Sequence, residues 1–63
     1  MGAKLLKYYD AIKNEAGFQA QMRLAMKTGA ASPKAAVLPD SPENLQKFKA
    51  AYKEITGKDI TIN

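Results

Sequence analysis

QMRLAMKTGAASPKAA, residues 21–36, is the stretch whose reading decides this fold. Its first half carries apolar residues at helical spacing, Gly29 interrupts it, and Ser32-Pro33 reads as the start of another helix. Ser is a good N-cap, and Pro suits the first helical position because its missing N–H would have no partner there. The stretch is therefore two helices around a glycine turn. The second helix either projects from the body to contact something or folds back to complete a bundle.

Working outward, the pattern stays helical. KLLKYYDAIKNEAG, residues 4–17, puts Leu5, Tyr9, Ile12 and Ala16 on one narrow arc, with Lys7, Asp10 and Asn14 opposite and Gly17 as the stop. Phe18, Met22, Ala25 and Met26 make the expected inner stripe of the next helix, with Leu24 at its flank. After Pro33, the run KAAVL allows about two turns before Pro39 stops it. In PDSPENLQKFKAAYKEITG, residues 39–57, Ser41 is the expected N-cap with Pro42 next, and Glu43 sits where the helix dipole favours an anion. Asp40 with Glu43 offers a rival capping-box register one residue earlier. Leu45, Phe48, Tyr52 and Ile55 line one face of this helix, and Gly57 ends it.

These readings give an all-α fold: one domain over residues 1–63, with helices over 3–16, 18–28, 33–38 and 42–56. Three are substantial, one is short, and the packing is orthogonal or up-and-down. The expected core is Leu5, Tyr9, Ile12, Phe18, Met22, Met26, Val37, Leu38, Leu45, Phe48, Tyr52 and Ile55. The tail KDITIN, residues 58–63, switches to an alternating pattern with Ile60 and Ile62 on one side. One strand makes no sheet, so the tail either lies over the bundle or is a free end able to pair with another edge.

The stretch at 21–38 loosely resembles the DNA-binding helix-turn-helix of repressor-type domains, over roughly residues 21–55. With Gln21 as first position, Ala25 falls at the small-residue site, Gly29 at the turn, and Leu24, Ala30, Ala35 and Leu38 at packing positions. That resemblance implies DNA contacts from Lys27, Ser32 and Lys34. A recognition helix, however, reads base edges with Arg, Gln or Asn near its N-terminal end. Here the corresponding surface is Ser32, Pro33 and Lys34 followed by Ala35-Ala36-Val37-Leu38. Lysines there would contact phosphates, which gives affinity without sequence information. The expectation is that Val37 and Leu38 are buried and the stretch completes a bundle.

Composition narrows the function classes. Of 29 apolar residues, 11 are Ala, leaving 18 larger side chains for a core. A chain of this size keeps only about 3–5 kcal/mol of net stability. With no Cys and no His, disulfides and the usual zinc and haem ligands are absent. Acid–base catalysis would fall to Asp, Glu, Lys or Tyr. The nearest carboxylates in sequence, Asp40 and Glu43, are explained as helix-start residues, and there is no phosphate-cradling loop. The expectation is a chain without catalysis, cofactor or metal.

Net charge is +4, from nine Lys and one Arg against six acids, a balance that favours weak attraction to nucleic acid or acidic surfaces but, with nine of ten cations Lys, reads first as a solubility device. No apolar run of about 18 residues suggests a membrane span. Leu5-Leu6 is too short for a signal-peptide core, and Met1-Gly2 lacks the Ser or Thr at position six that a myristoylation motif wants. The expected setting is the cytoplasm. The function expected is a small interaction module acting through a protein partner or self-association, with Tyr8, Ile60 and Ile62 as interface candidates. The alternative is a weakly basic nucleic-acid binder using residues 21–38.

Overall fold

In the computed structural model, which describes residues 1–32 and 37–62, the helices begin and end where the local signals fall. They are α1 (Ala3–Ala16), α2 (Phe18–Thr28) and α3 (Pro42–Thr56). The all-α expectation holds, and each helix packs against both others. The body measures 26 × 23 × 16 Å. Among the described residues, no helix is long and apolar enough to cross a membrane. Most of the short helix expected over 33–38 lies outside the described residues.

Gly17 joins α1 to α2 with no linker at all. Its φ of 92° and ψ of 178° reverse the chain while its N–H still donates to Lys13 O at 2.9 Å. An L side chain is strained at that φ, so glycine is what permits two helices to meet at one residue. Gly29 and Gly57 close α2 and α3 in the left-handed conformation common at helix ends.

The start of α3 follows the sequence reading. Ser41 Oγ accepts from Asn44 N–H at 3.2 Å, Pro42 opens the helix, and Glu43 sits in its first turn. Asp40 does something the sequence did not suggest. Its carboxylate accepts from the backbone N–H groups of Lys4 (3.0 Å) and Leu5 (3.2 Å), capping α1 from the segment just before α3. Gly2 precedes α1 and offers no side-chain cap of its own. Its N–H donates to Leu38 O at 2.9 Å, and a Cβ on Gly2 would collide with the Asp40 carboxyl group. The segment before α3 is thus fastened to the start of α1.

The core joins Leu5, Tyr8 and Ile12 of α1, Ala20 and Leu24 of α2, and Phe48, Ala51 and Tyr52 of α3. Tyr9, Leu38, Leu45, Ile55, Ile60 and Ile62 pack around it, partly buried. Several expected core members lie elsewhere. Phe18 is 62% exposed, Met22 39%, Met26 73% and Val37 78%. The expectation that Val37 is buried is therefore wrong, whereas Leu38 is partly covered and held by its carbonyl. Ala16, assigned to the inner arc of α1, is also exposed at the last turn.

Candidate interaction surface on helix α2

The outward-facing side of α2 follows from which side the bundle buries. Residues advance by about 100° around a helix. Ala20, Gln21, Leu24 and Ala25 are buried, and they form one side of α2. Two are alanines, whose small side chains let neighbouring helices approach closely. Gln21 is polar but satisfied: its Nε2 donates to Tyr9 O of α1 at 3.0 Å, using the carbonyl's second lone pair. On the opposite edge, Lys27 Nζ meets Glu54 of α3 at 2.9 Å. With one edge fastened to α1 and the other to α3, the remaining side carries Phe18, Met22 and Met26 at four-residue spacing, followed by Gln19 and Arg23.

This overturns the inner stripe read from the sequence. Choosing the bulkiest apolar residues of α2 as its core side misplaces that side by about a third of a turn. The missed members are Leu24, set at the flank, and Ala20 and Gln21, which were not assigned to the buried side. The two cations of α2 give only a partial signal, because the direction opposite them passes through buried Ala25 but lies between exposed Phe18 and buried Gln21.

Between α2 and α3 lies an open depression of about 260 Å³, lined by Ala16, Gln19, Ala20, Arg23 and Ile55. It is smaller than the usual range for small-molecule sites, about 300–1,000 Å³. Its exposed lining is more polar than apolar, and Arg23 is the charged group in it.

The residues singled out from sequence are not brought together. Tyr8 is 4% exposed and packs its ring against Phe48, with centroids 6.5 Å apart and planes tilted by 55°. The roles of the two tyrosines are the reverse of those expected. Tyr8 falls with Leu5 and Ile12 on the buried side, and Tyr9 sits at its edge, so Tyr8 presents little surface to a partner. Ile60 and Ile62 fold onto the core, and the tail is held by ion pairs from Lys58 to Glu15 and from Lys53 to Asp59 (3.3 Å). Of the DNA-contact candidates, Lys27 is engaged by Glu54, Ser32 is exposed beyond the Gly29 turn, and Lys34 lies outside the described residues.

Two groups near the tail have shifted acidities. Burial raises the Tyr52 pKa above its ordinary value, Glu15 adds to the rise and Lys58 opposes it. The Lys58 pKa is raised chiefly by its hydrogen bond to Glu15 and then by that carboxylate's charge. Both effects favour the protonated form, as an ion pair and a partly buried phenol require. They accompany the ion pair of Lys58 with Glu15 that fastens the tail to α1.

No family model matches the chain, and no curated protein or solved structure shows significant similarity to it.

Proposed function

We propose that this chain is a small non-catalytic interaction module that works by docking the outer side of α2, through a protein partner or self-association. The observation that carries this reading is the stripe of Phe18, Met22 and Met26, left at or near the surface while Ala20, Gln21, Leu24 and Ala25 form the core side of the same helix. A domain with few large apolar side chains gains stability by burying them. Leaving three of the largest outside makes sense where another surface covers them in use. Methionine adds to the case, because its flexible, polarisable side chain adapts to varied apolar partners.

The test compares the parent with a Phe18→Ser, Met26→Ser variant by thermal melting and by sedimentation over a concentration series. The expected result is an unchanged melt together with loss of any self-association the parent shows. A large loss of stability would mean that the stripe belongs to the core, and the reading would fail. A titration with random duplex DNA at rising salt separates the nucleic-acid alternative. A binder neutralising several phosphates shows a steep fall of affinity with salt, and such a fall, unaffected by the stripe substitutions, would replace the protein-interaction reading.

A further inference from the structure

The charges beside the stripe narrow its occupant to one chemistry, an inference that rests on the interaction reading above. Arg23 stands one turn from both Met26 and Gln19, so it flanks the Met26 end of the stripe. It is exposed and takes part in none of the ion pairs among the described residues. The other cation of α2, Lys27, is held by Glu54, and α2 contains no acid. The depression next to Arg23 is lined by no acid either. The outer side of α2 therefore presents apolar surface, a small recess and one outward-facing guanidinium.

A second copy of the chain fits this surface poorly. In a two-fold contact of α2 with itself, Arg23 lies mid-helix and would face its own copy, and like charges across an interface are unfavourable. The area is also small. At about 200 Å² for a fully exposed side chain of this size, the exposed fractions of Phe18, Met22 and Met26 amount to about 350 Å². A stable dimer buries about 800 Å² per partner. A single amphipathic helix laid along the stripe matches its four-residue spacing with apolar anchors of its own.

We propose that the outer side of α2 binds an acidic amphipathic helix from a protein partner, its apolar side chains covering Phe18, Met22 and Met26 and a carboxylate pairing with Arg23. Arg suits that pairing because its planar fork holds a carboxylate by two parallel hydrogen bonds.

The experiment titrates the isotope-labelled full chain with two helical peptides that share one leucine stripe, flanked by Glu in one and by Lys in the other. Backbone amide shifts locate the contact. The expected result is perturbation centred on α2, with the Glu peptide binding about tenfold or more tightly than the Lys peptide at low salt. Arg23→Gln should remove most of that preference, whereas Lys47→Gln, equal in charge lost, should leave it intact. Met22→Ser with Met26→Ser should weaken both peptides while the chain still melts cooperatively as a folded domain. Equal affinity for the two peptides, still lost in the methionine variant, would overturn the acidic partner and leave the interaction reading standing. Sedimentation showing a dimer abolished by the same methionine substitutions would assign the surface to a second copy. Perturbation of α2 by vesicles of mixed zwitterionic and anionic lipid, with neither peptide acting, would assign it to a membrane surface. No effect of the methionine substitutions on peptides, vesicles or self-association would remove both readings.

Discussion

Asp40 shows how far one side chain's role can lie from its sequence neighbourhood. Its place before Ser41-Pro42 suggests a cap for α3, yet its carboxylate serves the N–H groups of Lys4 and Leu5. A carboxylate at a helix start satisfies donors that no helical carbonyl reaches and interacts favourably with the positive end of the helix. Asp40→Ala should therefore cost about 1 kcal/mol, read from urea melts. Gly2→Ala should cost a similar amount, because its methyl group displaces the same carboxylate. The two costs should combine to less than their sum in the double variant, since both remove one contact. Fully additive losses would show that Gly2 acts through something other than Asp40. Ser41 has the local role its position suggests: Ser41→Ala should lose about 1 kcal/mol, and Ser41→Asp should keep most of the stability. If both variants melt like the parent, the Asn44 N–H needs no side-chain cap.

Helix α2 tests a different point, which is that apolar size does not decide which side of a helix is buried. The bundle covers Ala20, Leu24 and Ala25 and leaves Phe18 and Met26 outside. Leu24→Ala should then cost about 2–5 kcal/mol, most of what holds so small a domain together. Met22→Ser with Met26→Ser should stay within about 0.5 kcal/mol of the parent for each substitution, as surface changes usually do. Denaturant melts on the two variants check this directly. The opposite ranking, with the methionines costly and Leu24 cheap, would turn α2 around and bury the stripe proposed for docking.

On the scale of the whole molecule, the tail closes the structure through charge. Lys58 bonds Glu15 of α1, Lys53 bonds Asp59, and Ile60 and Ile62 pack on the core. Tyr52 and Lys58 both hold their protons more firmly in the folded chain than at their ordinary values of 10.0 and 10.5. The unfolded chain releases those protons first as pH rises, so the folded state binds more of them in that window and loses stability through it. Stability from these groups is complete well below those ordinary values and falls as pH rises past them. Melting temperatures across that range should drop steadily. Glu15→Gln should flatten the drop, because Glu15 raises both groups, while burial of Tyr52 keeps some of it in place. An equally steep alkaline loss in that variant would show that the pair with Lys58 does not contribute.

What the sequence determined by itself are the helices and their limits. Gly17, Gly29, Ser41-Pro42 and Gly57 act on the backbone within a residue or two of where they stand, so their effects are legible without knowing what lies nearby. Leu5, Ile12, Phe48 and Tyr52 were legible as core for a related reason: their helices carry one apolar side facing away from most of the charges. The tertiary structure alone decided the rest. On α2, apolar residues run around more than half the circumference, so periodicity permits several orientations. The choice falls to close approach at Ala20 and Ala25 and to the bond from Gln21 to Tyr9 O. The same holds for Tyr8 over Tyr9, settled by the Phe48 ring on α3, and for Asp40, whose partners lie more than thirty residues away. The docking stripe belongs with these, because a side chain is exposed only by virtue of what the other helices leave uncovered.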